Sequence, residues 1–190
     1  MSRYTSPMIP AGYMAKRVQT PKGFHIDQVA DVYSVSSCVN ENFADYIEYW
    51  KHNGHWLFDS PEIIQAVARD NAIELKGTKL FYYEVYEKEF DGKDWHPYEP
   101  EPSIPTNVLA PLGQKLEGFD VVTFSNRNSP ECSPLSCNAM AEEIPTNEHC
   151  LMSAFDDAYE KVTSGIFGNS EPGPYRIFAV YSVEWPRDNL

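Results

Sequence analysis

The apolar residues change their spacing several times along the chain, and a spacing of two predicts strands. In residues 78–90 and 175–185 apolar side chains recur at every second position, a period typical of half-buried β-strands. Residues 118–125 (GFDVVTFS) are predicted to form another strand. Residues 29–36 have strand composition with turn-forming residues on both sides. With a shorter extended piece in residues 91–111, the pattern predicts about five strands.

Three other segments repeat their apolar residues every three to four positions, which is the spacing of one helix face. Residues 40–50 are the first, and an Asn-Gly pair follows them. The second starts at Ser60, a typical N-cap residue, with proline and glutamate next. The third starts near Ser153 and ends at Gly165. The pattern therefore predicts three helices.

Together these elements predict a single α+β domain, with a mostly antiparallel mixed sheet and three helices packed mainly on one face. We expect the domain to comprise residues 26–190. Residues 1–25 contain prolines and lack a clear period, so they are expected to form a loosely attached N-terminal tail. Residues 91–111 carry five of the fifteen prolines and predict a long connection. No internal repeat is evident.

The charge of the chain limits the kind of partner. The chain has 15 Lys and Arg residues and 28 Asp and Glu residues, which gives a formal net charge of −13. This excess of acids argues against nucleic acid and membrane surfaces as partners, because both attract basic proteins. Residues 116–160 contain nine acids and one base, Arg127. An acidic face of this kind favours a basic protein partner, although it also serves solubility alone.

The chain is expected to be cytoplasmic. No stretch approaches the ~20 apolar residues of a membrane span, and the first twenty residues lack the apolar core of a signal peptide. Four cysteines are too few for a disulfide scaffold of this length. We therefore expect the cysteines to be free thiols. The sequence leaves the oligomeric state open.

Three cysteines and a histidine lie close together in ECSPLSCN and NEHC. Cys132 or Cys137 could act as a nucleophile with His149 as its base, and Asn138 or Glu148 could orient the imidazole. The acid-rich surroundings argue against this enzyme, because they would raise a thiol pKa. Alternatively, the cysteines pack as small apolar residues beneath a Ser-Pro turn.

A structural zinc site is a second alternative for the same segment. Cys132 and Cys137 could ligate zinc with either His149 or Cys150. The last two are adjacent, and neighbours in extended chain point in opposite directions. We therefore expect no metal and no cofactor.

Two further pairs of residues are candidates for binding. Glu131 and Asn138 bracket the cysteine segment, and Trp95 and His96 lie in the proline-rich connection beside an acidic, stiff stretch. That setting favours a recognition surface more than a catalytic centre.

The run EGFDVVTFS…ECSPLSCNAMAEEIPTNEHCL, continued by SAFDDAYEKV and EPGPYRIFAV, resembles a core pattern of an uncharacterised group of bacterial proteins. The resemblance covers residues 117 onward and implies no reaction, cofactor or residue role. The sequence thus predicts an acidic module that binds a protein partner or regulates it, as small inhibitor and immunity proteins do. A cysteine-dependent hydrolase or transferase is the alternative.

Overall fold

Seven strands form one antiparallel sheet in the computed structural model, which describes residues 8–18, 26–36, 41–42, 52–124 and 132–186. The strands are β1 (Met8–Arg17), β2 (Glu41–Asn42), β3 (Lys79–Tyr86), β4 (Lys88–Phe90), β5 (Trp95–Pro97), β6 (Lys115–Thr123) and β7 (Tyr175–Val183). Their order is β2-β1-β3-β7-β4-β5, and β6 also pairs with β7. The predicted α+β class with an antiparallel sheet is confirmed.

Three helices accompany the sheet within the described ranges: α1 (Pro61–Asp70), α2 (Pro134–Cys137) and α3 (Phe155–Thr163). Short 3₁₀ turns cover Met140–Glu142 and Ile166–Asn169. The α1 helix begins as predicted, because the Ser60 hydroxyl accepts a hydrogen bond from the Ile63 amide and proline occupies the first turn. None of the described helices is long and apolar enough to cross a membrane.

The two faces of the sheet are covered differently. Side chains alternate between faces along each strand, so Tyr13 and Phe119 lie on the face that α1 and α3 cover. Lys16 and Asp120 lie on the opposite face, where residues 26–36 and the short α2 pack. The sheet is therefore buried on both sides.

The chain contains two structurally equivalent halves. Each half has a strand, an Asn-x-His-x-Leu segment ending in an apolar residue, a helix and a second strand. The first half consists of β1, residues 53–58 (NGHWLF), α1 and β3, and the second consists of β6, residues 147–152 (NEHCLM), α3 and β7. Since β3 pairs with β7, the core of the sheet has the symmetric order β1-β3-β7-β6.

The strand register defines the symmetry of the two halves. Gly12 lies opposite Tyr83, Gly118 lies opposite Val180, and a bulge precedes each glycine. Tyr83 and Val180 also pair with each other. A local pseudo-twofold axis therefore passes between them, perpendicular to the sheet, and it makes Lys79 of β3 equivalent to Arg176 of β7.

An asparagine fixes the same loop in each half. The Asn53 side chain accepts hydrogen bonds from the His55 and Leu57 amides and donates one to the Ala11 carbonyl. Asn147 in turn accepts from His149 and Leu151 and donates to Glu117. The loops then bridge to the outer strands, Phe58 to Tyr13 and Met152 to Phe119. Each asparagine thus secures a loop against the outer strand of its own half, β1 or β6.

Several sequence predictions are wrong, and one cannot be compared. The predicted tail, residues 1–25, contains β1, which pairs with both β2 and β3. Pro10 lies beside the bulge of β1, where a missing N–H is tolerated. Residues 29–36 form a buried connection and no strand. The internal repeat was missed. For the predicted helix at residues 40–50, Glu41–Asn42 is strand β2, and the rest lies outside the described residues.

Substituting Gly118 should test how closely the loop approaches the sheet. A Cβ there would lie 2.7 Å from Leu151 Cβ and 2.8 Å from the Met152 carbonyl oxygen, at a φ of +151°. We expect Gly118→Ala, and Gly12→Ala in the other half, to lower the free energy of unfolding by about 3 kcal/mol or more.

Gly92→Ala is the matched control, because its φ is also positive but no atom lies within 4 Å of the added Cβ. It should cost only about 1 kcal/mol. Urea denaturation of the three variants measures the difference. Equal losses in all three would contradict the close approach.

Candidate functional site

The cysteine segment lies on the sheet face opposite α1 and α3. The hydroxyl of Ser133 donates to the Asp120 carboxylate at 2.6 Å, just before α2. Cys137 Sγ, at the end of α2, lies 3.7 Å from the Ser36 hydroxyl. The Cys132 carbonyl accepts a hydrogen bond from the Thr123 amide. Glu131 falls outside the described residues.

Asp120 and Lys16 secure residues 34–36 beneath this segment. The fully buried Asp120 carboxylate accepts hydrogen bonds from the Ser34 hydroxyl and the Val35 amide. The equally buried Lys16 ammonium donates to the carbonyls of Ser34, Val35 and Ser36. Burial raises the pKa of Asp120, although its hydrogen bonds and the Lys16 charge oppose the rise.

His149 forms a polar cluster with residues from both halves. Its ring stacks on Tyr33 with centroids 3.9 Å apart, and its Nδ1 lies 2.5 Å from Asp31 Oδ1. Lys79 donates to the Tyr33 hydroxyl and lies 3.7 Å from Asp31 Oδ2. Glu117 Oε2 lies 3.9 Å from His149 Nε2. These five residues form what we call the His149 cluster.

Neighbouring charges and hydrogen bonds shift the pKa of two residues in the His149 cluster. The pKa of Glu117 is lowered, because hydrogen bonds from Lys115 and Ser182 outweigh the opposing effect of burial. The pKa of Lys79 is raised, because contacts with Tyr33 and Asp31 likewise outweigh burial. Asp31 orients the imidazole through its contact with Nδ1.

The described structure does not bring the predicted catalytic groups together. The His149 ring contacts Asp31, Tyr33, Glu117 and Glu148, and no sulfur lies within hydrogen-bond distance of it in the described ranges. Cys150 is buried, and burial together with the Asp120 charge raises its pKa to about 12. A thiol of that pKa is a poor nucleophile at neutral pH.

A zinc site does not form from the described cysteines either. In the ranges that the structure covers, no group of three His, Cys, Asp or Glu side chains is arranged to hold a metal ion. The His149 ring contacts Asp31, whereas the Cys150 side chain is buried in the core. Neither zinc trio that the sequence suggested is assembled there.

The first half contains a buried counterpart of the His149 cluster. His55 Nδ1 lies 3.2 Å from Arg176 Nη1, and the Arg176 guanidinium lies 3.5 Å from the centre of the Tyr98 ring. Burial, reinforced by the Arg176 charge, lowers the pKa of His55 to about 3. Each half therefore places its histidine beside a cation from the other half and a tyrosine ring.

The remaining candidate residues have separate environments. Trp95 stacks on Tyr159 at 4.8 Å and donates to Thr163, so it packs against α3. Next to it, His96 is half-exposed and contacts Asp91 at 3.1 Å.

Asn138 lies apart from these residues. It donates to Glu171 and lines a shallow pocket of about 240 Å³, together with Met140, Glu142, Glu143 and Ile166.

Sequence reasoning missed Asp31, Tyr33 and Lys79, which are distant from His149 in the chain. The repeated Asn-x-His-x-Leu segment is the one signal that could have drawn attention to both histidines. Comparisons with family models, curated proteins and solved structures gave no significant match. Function is therefore argued from the geometry of this chain.

Removing the Asp120 carboxylate should destabilise the fold strongly. Asp120→Ala leaves two hydroxyl groups and one amide without their acceptor and Lys16 without its nearby anion. We expect a loss of about 3 to 5 kcal/mol in the free energy of unfolding. Glu148→Ala, at a side chain that is 71% exposed, should change it by less than about 0.5 kcal/mol. Similar losses in both variants would contradict this role.

The buried His55 predicts a stability loss in acid. Its pKa of about 3 in the folded protein lies below the ordinary 6.5, so below pH 6.5 only the unfolded chain takes up this proton. The contribution of His55 is complete above pH 6.5 and falls by about 1.4 kcal/mol per pH unit toward pH 3.

His55→Gln removes that titration and keeps an acceptor for Arg176. The difference in unfolding free energy between wild type and variant should shrink by about 2 to 3 kcal/mol between pH 7 and pH 4.5. Urea titrations across this range measure it, and parallel pH curves would contradict the prediction.

Proposed function

We propose that the protein is an acidic binding module that engages a basic segment of a protein partner. The observation that carries this proposal is the run of exposed carboxylates on Glu142, Glu143, Glu148, Asp157 and Glu160. Residues 132–160 contain no Lys or Arg, and Lys161 is the next base in the chain. An excess of exposed acids attracts and orients basic partners.

The Asn138 pocket supports a specific contact on this side. Glu142 and Glu143 lie at its rim, and Met140 and Ile166 contribute apolar surface. The methylenes of a lysine or arginine would pack on that surface while the charged end meets the two carboxylates. Asn138 would add a polar contact beside its hydrogen bond to Glu171.

Charge reversal at the pocket tests this proposal. We expect Glu142→Lys with Glu143→Lys to reduce recovery of basic partners at least tenfold (1.4 kcal/mol), because two attractive contacts become repulsive. The measurement is affinity capture from a lysate of the source cells at low and high salt, with quantitative mass spectrometry.

Asp70→Lys with Glu101→Lys is the matched control, since both residues are exposed and lie outside the Asn138 pocket. It should leave recovery close to that of wild type. High salt should weaken capture by wild type, because exposed charges are screened. Equal recovery with both double variants, or capture that ignores salt, would reject the proposal.

A further inference from the structure

The two halves differ at one pair of equivalent corners, where a helix begins over the sheet. In the second half Phe155, the first residue of α3, packs on Phe119 and Tyr86, with centroids 6.1 and 5.1 Å apart. The pseudo-twofold axis relates Phe119 to Tyr13 and Tyr86 to Val183. Pro61, the first residue of α1, takes the place of Phe155.

The corner of the second half is filled and covered. Phe155 is only 8% exposed. Trp95, from the hairpin of β4 and β5, stacks on Tyr159 beside it and meets Tyr86 edge-on at 5.3 Å. An aromatic ring therefore fits this corner of the fold, and the rings of Trp95 and Tyr159 cover it.

The corner of the first half is open within the described residues. A cleft of about 340 Å³ lies between Pro61, Val183 and the chain at residues 107–112, and Tyr13, only 3% exposed, forms part of its floor. Two leucines of that wall remain in solvent, Leu109 at 67% and Leu112 at 98% exposure. We call this space the Tyr13 cleft. Its size falls within the range of ligand-binding clefts.

Asp59 holds the outer wall of the Tyr13 cleft in place. Its carboxylate accepts hydrogen bonds from the Thr106 hydroxyl at 2.9 Å and the Asn107 amide at 2.8 Å. The Tyr13 hydroxyl donates to the Leu109 carbonyl at 2.5 Å. The wall is thus attached to the fold at residues 106, 107 and 109.

The rim of the cleft is negative. Glu62 and Glu184 both line it and are exposed, and neither forms an ion pair or hydrogen bond with the described residues. Burial, followed by the Glu62 charge, raises the pKa of Tyr13 to about 12, which agrees with a carboxylate directed toward the cleft. A negative rim around an apolar floor selects an apolar group flanked by bases.

We propose that the Tyr13 cleft binds an aromatic side chain of a partner peptide that carries Lys or Arg on both sides. The ring takes the place that corresponds to Phe155 in the other half, between Pro61 and Val183 and above the buried Tyr13. The basic neighbours pair with Glu62 and Glu184. This inference rests on the proposed function for the class of partner, and it adds a second contact site with its own anchor residue.

A pair of labelled peptides tests the aromatic anchor. Both have a fluorescein label and the frame Gly-Ser-Lys-Lys-X-Lys-Lys-Ser-Gly, with Phe or Ala at X. Fluorescence anisotropy at physiological salt measures their affinity for the full chain. We expect the Phe peptide to bind wild type at least tenfold more tightly than the Ala peptide. No advantage for Phe would overturn the proposal.

Filling the cleft tests the location. Pro61→Phe supplies the ring that Phe155 supplies in the other half, and we expect it to abolish the advantage of the Phe peptide. Pro61→Ala, which leaves the cleft open, should keep that advantage. If Pro61→Phe folds poorly by circular dichroism, Glu62→Lys with Glu184→Lys takes its place and should weaken the Phe peptide at least tenfold. An advantage that survives the filled or charge-reversed cleft would overturn the location.

A failure of the Tyr13 cleft proposal can be distinguished from a failure of the proposed function at the Asn138 pocket. Glu142→Lys with Glu143→Lys should keep the preference for Phe, because the Asn138 pocket and the Tyr13 cleft share no lining residue. If this double variant captures basic partners as well as wild type while Pro61→Phe still removes the preference, only the proposal on the Asn138 pocket fails. Sedimentation at high concentration examines the rival occupant, a second copy of the chain. A wild-type dimer that Pro61→Phe dissociates would assign the cleft to self-association and overturn the proposal.

Discussion

The pairing of β3 with β7 is the constraint on which the rest of the structure depends. These two strands come from different halves of the chain, and they meet in register around Tyr83 and Val180. Because the outer strands β1 and β6 pair with them at equivalent bulged positions, the central pair fixes both halves at once. The helices and the asparagine-held loops then fall at symmetric places on the sheet.

The pairing also explains why each polar cluster contains residues from both halves. Lys79 and Arg176 are equivalent residues of β3 and β7, and each reaches across the axis toward the histidine of the other half. In the first half this contact is buried and the imidazole stays neutral, with a pKa of about 3. In the second half the histidine is partly exposed and is held by Asp31. One scaffold has thus produced a structural histidine and a more accessible one.

The two halves differ at the surfaces that we propose for binding. The hairpin of β4 and β5 follows the first half in the chain, and its Trp95 covers the corner of the second half. Within the described residues, no such cover reaches the corner beside Pro61. The acidic residues follow a similar division, because α3 and the turn before it carry exposed carboxylates and the outer strand β6 carries the buried Asp120. The exposed carboxylates and the buried one therefore occupy different parts of the second half.

The sequence by itself determined the local features: the strands at β3, β6 and β7, the capped start of α1, the glycine end of α3 and the acidic character of residues 116–160. These depend on the period of apolar residues and on local hydrogen bonds, both readable over a few positions. Only the tertiary structure decided that residues 8–17 form a strand paired with β3, that residues 29–36 are a buried connection, and that Asp31, Tyr33 and Lys79 meet His149.

Strand pairing and polar contacts between distant residues carry no local signal, so composition and spacing could not predict them. The internal repeat was not detected in the sequence for a similar reason. What the halves share is mainly backbone geometry, with two glycines, two asparagines and two histidines at equivalent places, while the side chains that pack around them have diverged.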